Sequence, residues 1–148
     1  MKIEWVKKKW SEVSLEELYS VLRLRSEVFV VEQDCVYQDI DNKDQIAIHL
    51  LGYINKELIA YSRLFNEGDY FKETSFGRAI IKKENRGQGY GDELIKESIK
   101  TIKNYYGNKK VKISAQAHLK SFYSKHAFIA KGKEYLEDGI PHVSMESF

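Results

Sequence analysis

The segment Arg86-Gly87-Gln88-Gly89-Tyr90-Gly91 places three glycines at alternating positions, with a branched apolar stretch before it and an amphipathic one after it. Glycine visits backbone conformations closed to other residues and costs stability inside regular elements. The segment therefore predicts a loop, between a strand over Ser75–Lys82 and a helix opening at Asp92. Leu94, Ile95, Ile99, Ile102 and Tyr106 form that helix's apolar stripe. Asp92 and Glu93 suit the positive end of its dipole, and Gly107 suits its C-terminal stop. A strand, a glycine loop and a helix in succession commit the chain to a sheet with helices packed on it.

The remaining elements follow from the same rules. Ile3–Trp10 reads as an edge strand, and Ser14 with Glu17 three residues on forms a capping box. Leu15, Leu18, Val21, Leu22, Val28 and Phe29 continue at helical spacing until about Val31, and Glu32–Asp44 reads as a loop. Ala47–Ile54 and Leu58–Phe65 are strands joined through Asn55-Lys56, a hairpin. Val111–Ala115 is a short strand and His118–His126 a short helix. Phe128–Lys133 and His142–Phe148 close the chain as strands, linked through Glu137–Pro141. The order β-α-β-β-β-α-β-α-β-β implies an α/β (α+β) fold, a mixed sheet flanked by helices. At 148 residues with no proline-rich linker, one domain over 1–148 is expected.

A glycine loop at a helix start converges backbone N–H groups on the positive end of a dipole, which suits a phosphate; a plain structural turn is the alternative. Arg86 can add a charged donor. A P-loop would end in Gly-Lys-Ser/Thr, and here Asp92 follows Gly91. A dinucleotide fold needs G-x-G-x-x-G and an acid about 20 residues on. The spacing here is G-x-G-x-G, and no Asp or Glu lies between Glu97 and Glu134. Lysines fill that acid-free stretch, whereas Glu32–Asp44 and the chain after Lys133 are acidic. The pattern reads either as solvated faces or as one anion site and one cation site. A net charge of +2 does not mark a nucleic-acid binder. The single cysteine, Cys35, excludes a disulfide framework and points to a reducing, cytoplasmic setting. No apolar run is long enough to span a bilayer, and the N-terminus lacks the apolar core of a signal peptide.

Arg86–Gly91 resembles the Q/R-x-x-G-x-G/A pyrophosphate loop of the GNAT acetyltransferases. Phe76–Ile81 is similar to their central splayed strand. Ala117–Phe128, with Phe122-Tyr123, resembles their A…FY…GF helix, although Ala127 stands where glycine is usual. Leu22–Cys35, Ser114–Leu119 and Glu137–His142 are similar to the ElaA-like subfamily. The resemblance implies the GNAT fold, a mostly antiparallel sheet with one splayed parallel strand pair. It implies acetyl-CoA as co-substrate, no metal, and direct transfer to a primary amine of a small molecule or a lysine side chain. A non-catalytic acyl-CoA-binding module is the alternative. An RNA-associated protein is a weaker third reading, with little aromatic interleaving in the basic stretch.

By that resemblance, the backbone of Ala79, Ile80 and Ile81 borders the pantetheine arm, with the Ile81 N–H near the thioester carbonyl. Amides of Arg86, Gly87, Gln88, Gly89, Tyr90 and Gly91 hold the pyrophosphate. Lys120 and Ser124 touch the cofactor from the helix at His118, and Tyr123 is the general acid for the leaving thiolate. The general base is open: the central strand has no carboxylate, which leaves Glu32, Glu73, His49, His142 or a water chain. Arg25, Glu32, His49 and His142 are the acceptor-site candidates, Arg25 and Glu32 alternatively pairing with each other. Cys35 reads as a packing residue rather than a nucleophile. A homodimer through a terminal strand edge is possible on this pattern.

Overall fold

A computed structural model describes residues 1–148. Seven strands form one sheet: β1 (Glu4–Lys9), β2 (Ile48–Ile54), β3 (Glu57–Phe65), β4 (Thr74–Ile81), β5 (Val111–Gln116), β6 (Ile129–Glu137) and β7 (Ile140–Ser147). Their spatial order is β1-β2-β3-β4-β5-β7-β6, so β7 inserts between β5 and β6. Only β4 and β5 run parallel; the other neighbours are antiparallel. This is the expected mixed sheet with one parallel pair.

Three α-helices pack on it: α1 (Leu15–Arg25), α2 (Tyr90–Tyr106) and α3 (Lys120–Ser124). The Ser14–Glu17 capping box forms, with Glu17 N–H donating to Ser14 Oγ at 3.1 Å and Ser14 N–H to Glu17 Oε1 at 2.9 Å. α1 then widens into a π-helix over Ser26–Glu32, a rare geometry that clusters at functional sites. α2 opens at Tyr90, two residues before the expected Asp92, because the buried Tyr90 ring joins the core and its hydroxyl bonds the Met1 carbonyl. Tyr90 and Gly91 are thus helical, not loop. The expected helix over His118–His126 is a 3-10 turn, Ala117–Leu119, followed by the single short α3.

Two hairpins depend on paired positive φ angles. Asn55 and Lys56 sit at +49° and +66°, Asp138 and Gly139 at +52° and +76°, the combination that matches strand twist in two-residue turns. The Asp138-Gly139 turn is tighter than the loop expected over Glu137–Pro141, so β6 runs on to Glu137 and β7 begins at Ile140. Pro141 lies within β7, opposite Leu136.

The core has two layers. On one face α2 and α3 cover Leu50, Leu64, Phe76, Ile113 and Met145; on the other α1 covers Leu51, Tyr61 and Ile80. Ser62 Oγ and Ser98 Oγ meet at 2.7 Å between β3 and α2. No helix is long and apolar enough to cross a membrane.

Candidate active site

Parallel pairing of β4 with β5 lasts for only two registers, Thr74↔Val111 and Ser75↔Lys112. Beyond them the strands part. β4 also carries an extra residue there: Gly77 faces Arg63 and Ile80 faces Tyr61, which leaves three steps on β4 against two on β3. The bulge puts Arg78 at φ +49°, a left-handed conformation uncommon outside glycine. Ion pairing holds it there. Arg78 Nε donates to Asp39 Oδ1 at 2.7 Å, and Nη2 donates to the Asp39 carbonyl at 3.0 Å.

A cleft of about 720 Å³ opens between the parted strands and α2. Ala79, Ile80 and Ile81 form one wall and Gln116, Leu119 and Tyr123 the other. At its end lie Gly87, Gly89 and the first turn of α2. Gly87 and Gly89 adopt φ of +80° and +82°, and a Cβ at either would meet nothing within 4 Å. The N–H groups of Gly87, Gln88 and Gly89 donate to no carbonyl or side chain, and the first amides of α2 have no partner within the helix. This is an anion cradle. Gln88 itself is exposed and its side chain stands outside the cleft. Gly91 packs against Phe122, 3.4 Å from where a Cβ would stand.

Arg86 does not aim its side chain into this cradle. Its Nη1 and Nη2 grip Glu32 at 2.5 and 3.0 Å, and its Nε donates to the Ile81 carbonyl at 2.9 Å. The acceptor-site expectation for Glu32 is therefore corrected: it closes the end of the π-helix onto the glycine loop, on the cleft side. Its partner is Arg86, not Arg25.

α3 turns Phe122 and Tyr123 inward. Lys120 and Ser124, expected at the cofactor, are exposed and outside the cleft lining, and Ser124 Oγ donates to the Lys120 carbonyl at 2.9 Å. Four residues apart on one helix, they share a face, and that face is turned to solvent. Tyr123 packs among Phe76, Phe122 and Phe128. Its hydroxyl has no hydrogen-bond partner in the protein, and burial pushes its pKa up to about 12.

A smaller chamber of about 130 Å³ adjoins the cleft. The two share walls that include Phe29, Gln33, Ala79, Gln116, Leu119 and Tyr123. His142, Glu137, Asp138 and Ser114 line its far side. The expected closing strand begins at His142; β7 in fact begins at Ile140, and His142 lies within it, buried at 7% exposure against the chamber. Cys35 sits at the same chamber with its thiol directed at the Asp138 carbonyl, 3.3 Å away.

Two other candidates lie elsewhere. His49 is 2% exposed, with Nδ1 2.7 Å from the Tyr61 hydroxyl and Nε2 2.9 Å from the Asp44 carbonyl. Both nitrogens are committed, and burial lowers its pKa, so it is a neutral core histidine away from both cavities. Arg25 is fully buried and belongs to a network no local sequence signal announces. Arg25, Arg63 and Arg78 pair with Asp39, Asp41 and Asp44 through six contacts. Burial alone would lower the pKa of Arg25, but the surrounding acid groups hold it above its usual value. Burial alone would raise that of Asp41, and Arg63 and Arg78 outweigh this and bring it to about 2. The acidic loop is thus largely neutralised from within: it straps the 33–46 segment to β3 and β4 rather than facing a cation. The partners stand on α1, β3 and β4, too far apart in sequence for spacing to connect them. Glu73, the remaining base candidate, lines neither cavity, and its Oε1 is buried without a partner.

A family model for an acetyltransferase (GNAT) domain matches residues 11–147. Protein ElaA of Escherichia coli (strain K12) is 42% identical over 145 residues, 97% of this chain and 95% of that one. The crystal structure of E. coli ElaA superposes with a TM-score of 0.93 at 40% identity, covering 99% of this chain and 100% of that chain. An acyl-CoA N-acyltransferase from Pseudomonas aeruginosa superposes with a TM-score of 0.94 at 36% identity and the same coverage. A PaiA N-acetyltransferase from Thermoplasma acidophilum, solved in complex with coenzyme A, shares the fold at 17% identity, with a TM-score of 0.72 over 99% of each chain.

Proposed function

The chain belongs to the GNAT acetyltransferase family, and on that basis we propose that it moves an acetyl group from acetyl-CoA to a primary amine by direct attack in a ternary complex. The observation that carries the reading is the junction of two cavities at Ala79 and Tyr123. One cavity ends in an anion cradle; the other is lined by Glu137, Asp138 and His142. Two reactants, one in each cavity, can meet where the cavities join.

The residues present fit acetyl-CoA. Unpaired amides of Gly87–Gly89 and the start of α2 suit its pyrophosphate. The parted edge of β4 offers the backbone of Ala79 and Ile81 to its extended arm, with the Ile81 N–H as donor to the thioester oxygen as negative charge develops. A fixed donor of that kind contributes roughly 3–4 kcal/mol to the transition state. The Arg86–Glu32 pair keeps the arginine beside the cradle, where it can turn to an arriving phosphate.

Tyr123 takes a narrower role than full proton donation in the ground state. Its pKa of about 12 lies well above the reference thiol value of about 8.5, so complete transfer to the thiolate is uphill by about 5 kcal/mol. The phenol stays protonated across physiological pH and donates a hydrogen bond to sulfur as the C–S bond breaks.

Transfer is tested by following free thiol released from acetyl-CoA with a panel of polyamines, amino acids, aminoglycosides and basic peptides. Amine-dependent, multiple-turnover release with a matching acetylated product is the expected result. Tight acetyl-CoA binding with no release for any amine would leave a binding module instead.

A further inference from the structure

The chamber holds one titratable pair with no task in the scheme above. The Asp138-Gly139 turn folds β7 back on β6, and His142 comes opposite Tyr135, one pleat from Glu137. His142 Nδ1 lies 2.7 Å from the Ile140 carbonyl. A carbonyl only accepts, so Nδ1 carries the hydrogen and the neutral ring presents its lone pair at Nε2. Nε2 stands 3.4 Å from Glu137 Oε2. Glu137 is itself oriented, its Oε1 accepting from Ser114 Oγ at 3.1 Å, while the Tyr135 ring stacks on the imidazole.

The other charged groups at this chamber are accounted for. Arg63 and Arg78 are matched by Asp39, Asp41 and Asp44. Burial pushes the Tyr37 phenol upward, so it stays neutral, and the Cys35 thiol is spent on the Asp138 carbonyl. The carboxylates of Glu137 and Asp138 remain without a Lys or Arg partner, which favours entry of an ammonium group. Ser75 Oγ, on the opposite wall, is buried and has no partner. Among the sequence's base candidates, Glu32 is held by Arg86, His49 has both nitrogens bonded, and Glu73 lines neither cavity; only His142 reaches the place where an acceptor would wait.

Resting on the acetyl-transfer reading, we propose that His142 Nε2 is the general base that deprotonates the acceptor's ammonium group, with Glu137 as the positioning residue that stabilises the resulting imidazolium. The ammonium proton passes to Nε2. The freed nitrogen lone pair attacks the thioester carbonyl and forms the C–N bond. The C–S bond then breaks, its electron pair leaving on sulfur, and the thiolate, hydrogen-bonded by the Tyr123 hydroxyl, takes its proton from water. The extra proton of the amide nitrogen passes to solvent. No oxidant or metal enters the balance.

The experiment compares His142→Gln and Glu137→Gln with the wild type, using a primary alkylamine taken from the panel and hydroxylamine, which is already uncharged at neutral pH. Acetyl-CoA affinity, measured by calorimetry, is expected to be unchanged in both variants. His142→Gln should lose about 10²–10⁴-fold in kcat/KM with the alkylamine and abolish the acidic limb of its pH profile. It should lose far less with hydroxylamine, which needs no base before attack. Glu137→Gln should lose less and move the acidic limb to lower pH, because an imidazolium without its carboxylate is harder to form. Equal losses with both nucleophiles, an unchanged acidic limb, or full activity of His142→Gln would each overturn the base. A wild type that releases CoA with hydroxylamine but with no alkylamine would also overturn it. Release with neither would instead sink the acetyl-transfer reading on which it rests.

Discussion

Tyr123→Phe isolates a single hydroxyl. That hydroxyl has no hydrogen-bond partner in the protein, and its ring is buried among Phe76, Phe122 and Phe128. Its removal therefore orphans nothing, and the phenylalanine ring fills the same space. The melting temperature should hold, since Tyr123 lines both cavities and its hydroxyl is not among the buried polar atoms left without a partner. Acetyl-CoA affinity should change little. The effect belongs to the step in which charge builds on sulfur. A hydrogen bond to a charged acceptor contributes about 1.5–3 kcal/mol, so kcat should fall by about 10- to 150-fold. The assay is single-turnover thiol release with saturating amine, which removes product release from the measured rate. A second donor sharpens it. With an acetyl thioester of a more acidic thiol, the thiolate leaves with less help and the deficit should shrink. An unchanged rate with acetyl-CoA, or a deficit equal for both donors, would refute the hydrogen bond from Tyr123 to the leaving sulfur.

Replacing Gly89 by valine forces a β-branched residue into a φ of +82°, where no atom would clash but the backbone is strained by about 1–3 kcal/mol. The loop should relax away from the cradle, and calorimetry should report acetyl-CoA binding weakened by about 10- to 100-fold with a native circular dichroism spectrum; normal binding would show a plain turn. Arg25→Met leaves Asp39 to Arg78 and Asp44 to Arg63, so urea unfolding should show a loss of about 3 kcal/mol, the low end for a broken buried ion pair. A loss under about 1 kcal/mol would show the network to be redundant at that arginine. Asp41 titrates at about 2 when folded and near 3.8 otherwise, so its contribution, about 2 kcal/mol, is present above pH 4 and disappears as pH falls toward 2. Asp41→Asn should flatten the stability profile in that window, and an unaltered acid limb would show that other carboxylates govern it.

Local chemistry alone determined a large part of this protein. The capping box at Ser14, the Asn55-Lys56 hairpin, the glycine loop and the stop at Gly107 each act within a few residues, through propensities and hydrogen bonds that do not wait for the rest of the chain. The mixed sheet follows from their order, and the anion cradle from glycines at a helix start. The tertiary structure decided what depends on partners far along the chain. Asp39, Asp41 and Asp44 look like a solvated acidic run until Arg25, Arg63 and Arg78 arrive from three other elements to neutralise them. The rotation of α3, set by packing Tyr123 on Phe76 and Phe128, decided that Lys120 and Ser124 face water. His49 and His142 are both histidines on strands. One sits between a tyrosine hydroxyl and a carbonyl in the core, while the other meets a carboxylate at a cavity, because β7 is driven between β5 and β6. A side chain's charge and size are written in the sequence, but whether that charge is spent inside the fold or left facing a substrate is settled by which distant groups packing brings within hydrogen-bond reach.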